Sequence, residues 1–200
     1  MIKVEKTVLV LLAAGKSERF GDISSKLDEL FLSRPLGLHI AVTLEDVPFM
    51  ERIAIVNGTK IDYARHNFTI VHNDAPERDM ASSVRMGVET ARAHGATAVI
   101  IALADMPRVT ATHIYRLLDA ADGEHAVVAS SNGRFPLPPV LFGAARFDEV
   151  LAITGDQGAR DMISAGVHVV ANEQELIDVD TPEELEQLRA LVNAPEARGR

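Results

Sequence analysis

Three basic side chains, Lys16, Arg19 and Lys26, follow directly on an apolar run at 7–12 and the small residues Ala13, Ala14 and Gly15. The chemistry that suits this spacing is phosphate binding. Small residues let main-chain N–H groups come close to an anion, while ammonium and guanidinium groups supply charge. The stretch is neither of the two best-known phosphate loops. A Walker A loop needs a glycine at position 10, which is Val10, and a dinucleotide fingerprint needs one at position 17, which is Ser17. On these residues alone, an ordinary strand-to-helix turn carrying three cations is the competing reading.

Carboxylates recur at two places that could complete such a site. Asp105 follows the apolar run 98–103 and is held by a Met106-Pro107 turn, while Asp178 and Asp180 stand in Leu176-Ile-Asp-Val-Asp-Thr181, just before a helix start. Mg²⁺ takes one or two carboxylates and completes its octahedron with waters and phosphate oxygens, which suits Asp105 with Asp180. Period-two alternation places Asp178 and Asp180 on one side, so that one faces the site and the other supports it. Either could be the ligand, and acidic residues here also stabilise a helix N-terminus.

The elements that must position these groups are legible from periodicity. Strand-like runs at 7–12, 53–57, 68–72, 98–103, 126–129 and 167–171 alternate with helical patterns at 35–45, 80–94 and 112–121. The run at 7–12 is apolar on both faces, as in a central parallel strand, and open sheets of this kind bind ligands outside the carboxyl ends of their strands. The alternation implies a three-layer αβα sandwich around a mostly parallel sheet. Gly95 stops the 80–94 helix, and Thr181-Pro182-Glu183-Glu184 is a capping box with proline at the first helical position. Residues 1–192 read as a single domain and 193–200 as a fraying tail. The short Pro-rich stretch 135–139 reads as a rigid loop.

Composition narrows the chemistry. The 200 residues are 47% hydrophobic and 24% charged, an ordinary globular mixture with no run long enough for a membrane span. With no recognisable secretory signal, a cytoplasmic location is expected. A net charge of −9 disfavours a broad nucleic-acid footprint but leaves room for a small anionic ligand. The absence of cysteine excludes thiol catalysis and cysteine-bound zinc, and the seven histidines show no paired metal-binding spacing.

Six segments in order resemble the MobA-like nucleotidyltransferases, and within them the molybdenum cofactor cytidylyltransferases. They are Leu12-Ala-Ala-Gly-Lys-Ser-Glu-Arg-Phe-Gly21 with Lys26-Leu27, Met80-Ala-Ser-Ser-Val-Arg-Met-Gly87, Leu103-Ala-Asp105-Met-Pro107, Pro139-Val-Leu-Phe-Gly143, Gly155-Asp-Gln-Gly-Ala-Arg160 and Asp178-Val-Asp180-Thr-Pro182. The resemblance implies a Rossmann-like fold of the nucleotide-diphospho-sugar transferase type, and Mg²⁺-dependent transfer of CMP from CTP to the phosphate of molybdopterin. It further implies that Leu12, Ala13, Ala14 and Gly15 hold the nucleoside, with Ser82 and Ser83 hydrogen-bonded to the nucleotide. Lys16 and Arg19 would meet the β- and γ-phosphates and Lys26 the α-phosphate. Asp105 and Asp180 would hold Mg²⁺, and Asp156, Gly158 and Arg160 would face the acceptor. A molybdoenzyme is the partner this implies. Leu-Ala-Ala-Gly looks like the cytidylyl type, whereas guanylyl members look like Leu-Ala-Gly-Gly.

The chain departs from the pattern at two places. Asp79 stands where the family has glycine, a carboxylate that would repel an anionic acceptor unless paired with Arg78 or Arg85, and Phe135–Pro138 replaces a Gly-His-Pro or Gly-Asn-Pro loop. Three other functions remain to be separated. Transfer to another phosphorylated small molecule is separated by an acceptor screen, NAD(P)H-dependent reduction by nucleotide binding, and a non-catalytic cofactor-delivery chaperone by ligand binding without pyrophosphate release.

Overall fold

The computed structural model describes residues 1–21, 25–75, 79–154 and 157–193. In chain order the strands are β1 (Thr7–Ala13), β2 (Leu30–Phe31), β3 (Arg34–Pro35), β4 (Glu51–Val56), β5 (Thr69–His72), β6 (Ala98–Leu103), β7 (Val127–Ser131), β8 (Pro136–Gly143) and β9 (Val167–Val170). The helices are α1 (Leu38–Thr43), α2 (Met80–Ala93), α3 (Ala111–Ala120), α4 (Phe147–Leu151), α5 (Gln157–Ser164) and α6 (Pro182–Asn193). Seven strands form one sheet in the order β5-β4-β1-β6-β8-β7-β9. Strand β1 lies between β4 and β6 and is parallel to both. The chain thus leaves β1 in one direction for β4 and later returns on the other side as β6, which opens a crevice at their carboxyl ends.

Alternation along β1 divides the core. Leu9, Leu11 and Ala13 join Ile40, Ala54, Ile100 and Ile114 on the face covered by α1 and α3. Val8, Val10, Leu12 and Ala14 join Ile53, Val88, Val99, Phe147 and Val150 on the face covered by α2 and α4. Every residue of β1 is buried, as the doubly apolar run requires. Helix α2 lies close on the sheet at Gly87, where an added Cβ would sit 2.3 Å from Val10 Cγ1. It ends in a Schellman motif, with Ala96 N–H donating to Ala91 O and Gly95 N–H to Arg92 O, and Gly95 at φ +74°.

The mostly parallel three-layer reading holds, and the structure differs from it in detail. Strand β8 runs antiparallel to both β6 and β7. The stretch 135–139 is not simply a rigid loop, since β8 begins at Pro136. Its prolines are tolerated because β6 pairs with β8 only over Val140–Gly143. Before that, β8 has β7 alone as a neighbour, and the missing proline N–H groups leave no ladder bond unmade on the other side. The helix expected over 35–45 shrinks to α1. Pro35 is taken into the β2-β3 hairpin, and the carbonyls of Leu44 and Glu45 accept from the Arg52 guanidinium instead of continuing the helix. At the far end, Thr181 Oγ accepts from Glu184 N–H, and Glu184 Oε2 from the Asp180 and Thr181 N–H groups, the reciprocal capping box expected. Helix α6 reaches Asn193, one residue beyond the expected domain end, and 194–200 lie outside the described residues. Among the described residues no helix is long and apolar enough to cross a membrane.

Candidate functional site

The crevice beside β1 and β6 is a cavity of about 390 Å³, lined by Leu12, Ala14, Gly15, Lys16, Ser17, Arg19, Lys26, Asp79, Ser83, Asp105 and Asp180 among others. The β1 loop, the start of α2, the end of β6 and the segment before α6 therefore meet there. Lys26 reaches it from a short 3₁₀ turn at Lys26–Asp28, where Ser25 Oγ accepts from Leu27 N–H. The Lys26 N–H in turn donates to Ser17 Oγ at 2.9 Å, which ties the turn back to the β1 loop. Ser17 can serve because it adopts a left-handed conformation, φ 53°.

The centre of the site is a chain of charges. Lys26 Nζ lies 2.8 Å from Asp105 Oδ2 and 2.7 Å from Asp180 Oδ1, and Arg19 Nη1 lies 2.8 Å from Asp180 Oδ2. Lys26 is only 8% exposed, so its ammonium depends on these partners. Burial pulls it toward neutrality, but the charges and hydrogen bonds of Asp105 and Asp180 outweigh this and raise its pKa. Burial pushes the Asp105 carboxyl up, against the opposing pull of Lys26. Asp180 is held below the usual carboxylate range by its Lys26 hydrogen bond, with the Lys26 and Arg19 charges adding to it.

These shifts set a pH dependence with a definite sign. The depressed Asp180 pKa contributes stability that is present above its unfolded value near 3.8 and is lost as pH falls through the lower folded value. Asp105, shifted upward, has the opposite effect, because its protonation on acidification favours the folded state. In metal-free buffer, urea midpoints measured from about pH 6 to about pH 2 are therefore expected to fall more steeply below about pH 4 for the native chain than for Asp180→Asn. Parallel curves would remove the stabilising role of this pair.

The donor set suits a hard divalent cation. Asp105 Oδ1 is buried with no hydrogen-bond partner, and one oxygen each of Asp105 and Asp180 converges on the point that Lys26 Nζ occupies. Among the described residues no three histidine, aspartate or glutamate side chains gather as a full metal cage. Two carboxylates match the needs of Mg²⁺ when phosphate oxygens and water complete its shell.

The remaining site residues fall into place unevenly. Lys16 and Arg19 are exposed at the cavity mouth. Leu12, Ala14 and Gly15 line the cavity, while Ala13 packs into the core of the opposite face. Ser83 lines it, whereas Ser82 is turned inward. Both hydroxyls accept from Asn73 Nδ2, at 3.0 Å for Ser82 and 2.8 Å for Ser83, and donate to Asp79 O. Asn73 is fully buried just past β5, and its carbonyl accepts from Asn57 Nδ2. It fixes the start of α2, and the sequence reading missed it; its only signal was a polar residue ending an apolar run.

Asp79 is the N-cap of α2, its carboxylate accepting from Ser82 N–H at 2.7 Å. That hydrogen bond, with help from the Arg85 charge, lowers its pKa. Arg78 lies outside the described residues, as does Asp156. Gly158 and Arg160 belong to α5, and Arg160 is exposed and is not among the described residues that line the cavity. Asp178 and Asp180 do not share a side. The segment is irregular rather than a strand, and Asp178 lines a separate cavity beside α6.

A family model described as the MobA-like NTP transferase domain matches residues 9–173. The chain is 31% identical over 195 residues to the purine catabolism protein PucB of Bacillus subtilis (strain 168), with 90% of this chain and 94% of the relative covered. Its fold is similar to that of a nucleotidyl transferase from Methanothermobacter thermautotroptrophicus, with TM-score 0.73 and 20% identity over 92% of this chain and 96% of that one. It is also similar to the Mycobacterium tuberculosis rv0371c homolog from mycobacterium sp. strain JC1, with TM-score 0.72 and 23% identity over 95% and 98% of the two chains. The family match takes in the β1 loop, Lys26, the start of α2 and Asp105. The chain belongs to the MobA-like NTP transferase family.

Proposed function

We propose that this nucleotidyltransferase moves CMP from CTP to the terminal phosphate of molybdopterin, releasing pyrophosphate. The observation that carries this reading is the pairing of a basic loop with two converging carboxylates in one cavity, Lys26 with Asp105 and Asp180. Ala14, 4% exposed and bearing a methyl where guanylyl-type members have glycine, narrows the nucleoside end of the cavity and favours a pyrimidine.

In the reaction, an oxygen of the acceptor phosphate forms a bond to the α-phosphorus of CTP. The bond from that phosphorus to the bridging oxygen of the β-phosphate breaks, and pyrophosphate carries away the electron pair. A phosphate monoester dianion needs no proton removed before it attacks, so the protein's task is positioning and charge neutralisation. Lys26 meets the charge that grows on the α-phosphate. Arg19 and Lys16, exposed at the mouth, meet the departing β- and γ-phosphates. The main chain at Ala14 and Gly15 seats the nucleoside against Leu12. Asp105 and Asp180 would hold Mg²⁺, which supplies charge neutralisation of the phosphate oxygens when bound.

The relative named for purine catabolism supports a role in purine breakdown, and a molybdoenzyme acting on purines is the destination we propose for the product. Pyrophosphate release measured with CTP, GTP and ATP, with and without molybdenum cofactor, tests the proposal. Release from CTP only when the cofactor is present is the expected result. Release with a different phosphorylated acceptor would reassign the substrate, and CTP binding with no release would point to cofactor delivery instead.

A further inference from the structure

A second cavity, of about 450 Å³, opens on the other side of the 176–180 segment, between the β7-β8 turn and α6. Its floor is apolar, with Leu137 and Leu188, and its polar lining includes Glu173, Asp178 and Glu184 but no lysine, arginine or histidine among the described residues. The Lys26 cavity, by contrast, sets Lys16, Arg19 and Lys26 among its aspartates. A phosphate would be repelled from the second cavity, whereas a flat ring with N–H donors along one edge would be welcome. Glu184 is already committed to the α6 capping box, which leaves Asp178 as the carboxylate nearest the reaction site in sequence.

Phe135 stands at the rim, 57% exposed. Its main chain is held there by side-chain hydrogen bonds. Asn132 Oδ1 accepts from the Arg134 and Phe135 N–H groups at 3.0 and 3.2 Å, and Ser131 Oγ donates to Phe135 O at 3.2 Å. A large aromatic ring exposed to water beside an apolar floor, on an anchored main chain, is suited to stacking on a flat ligand.

We propose that this cavity is the ring subsite of the acceptor. A fused heterocycle with a 2-amino-4-oxopyrimidine edge, of the pterin class, stacks on Phe135 and gives its two edge N–H groups to the Asp178 carboxylate, as a guanidinium does in a forked pair. The segment carrying both Asp178 and Asp180 then spans the acceptor, ring on one side and phosphate on the other. The inference rests on molybdopterin transfer as the reaction, and it gives a role to Phe135, the point at which the 135–138 segment departs from the family pattern.

The test titrates 6-hydroxymethylpterin, followed by its own fluorescence, into the native chain, Phe135→Ala, Phe135→Tyr and Asp178→Asn, with guanosine as a parallel ligand sharing the same edge. Pterin binding is expected to weaken about tenfold in Phe135→Ala, to persist in Phe135→Tyr, and to weaken about tenfold in Asp178→Asn, whose amide presents N–H to N–H. Thermal unfolding of Phe135→Ala should match the native chain, because the ring is exposed. Equal pterin affinity in all four proteins, or no pterin binding by a chain that releases pyrophosphate with molybdenum cofactor, would overturn the subsite. Guanosine binding tighter than pterin would overturn the pterin assignment. Pterin binding as expected without cofactor-dependent pyrophosphate release would keep the subsite and remove the transfer reaction on which it was argued.

Discussion

Asp105→Asn is expected to lower pyrophosphate release about a hundredfold to a thousandfold, comparable to the loss of one preorganised oxyanion-hole donor, because the cation that Asp105 is proposed to hold is the group that stabilises the transition state. The substitution keeps the shape of the side chain but removes the anion that faces Lys26 and that we propose as a Mg²⁺ ligand. The loss should fall on turnover and on the Mg²⁺ concentration that supports it, because the proposed nucleoside contacts are other lining residues, Leu12, Ala14 and Gly15. Stability should suffer less than the usual ~3–5 kcal/mol for halving a buried pair, since Asp180 remains 2.7 Å from the Lys26 ammonium. The Asp105 carbonyl also goes on accepting from Val179 N–H, so the acidic segment keeps its place. Steady-state release across an Mg²⁺ titration is the measurement, and native turnover in the variant would remove Asp105 from the mechanism.

The second large effect is that of Lys26→Met, which retains the apolar stem and deletes the charge. Turnover should fall by about a hundredfold or more while CTP affinity changes much less, because charge on the α-phosphate grows toward the transition state. Stability should fall by about 3 kcal/mol, since the buried Asp105 carboxylate loses its cation and keeps the like charges of Asp178 and Asp180 nearby. Combining Lys26→Met with Asp105→Asn then has a distinctive signature. Both members of the pair become neutral, so denaturation midpoints should recover toward the native value while turnover stays at the level of the single variants. Equal losses in CTP affinity and turnover for Lys26→Met would mean that the ammonium serves ground-state binding alone.

Much of the frame was legible in the residues because its signals are short-ranged. A run such as 7–12, apolar at every position after Thr7 and rich in valine and leucine, reads as a strand covered on both faces, and it is wholly buried as β1. The Gly95 stop and the Thr181–Glu184 box report backbone hydrogen bonds made within a few residues of themselves, and both appear as expected. Strand β8 was harder to see as more than a Val-Leu-Phe run. Three prolines in four residues deny a ladder its donors, and only the free edge beyond β6 excuses them. Asn73 was missed because a buried asparagine gathering two serines looks in sequence like any loop residue.

Residue types and spacing alone determined a parallel α/β sandwich, a cationic loop after its central strand and carboxylates at the ends of two later segments, since periodicity, capping and small-residue turns act over neighbouring positions. The tertiary structure alone decided how those charges combine. Lys26 and Asp180 stand 154 positions apart and meet because β1 and β6 are neighbours in the sheet and Val179 N–H donates to Asp105 O. The same packing set Asp178 and Asp180 on opposite sides of one segment, facing an acidic cavity and one in which lysine and arginine meet aspartates. Coulomb energy and burial depend on distance in space, and that distance is a property of strand order rather than of spacing along the chain.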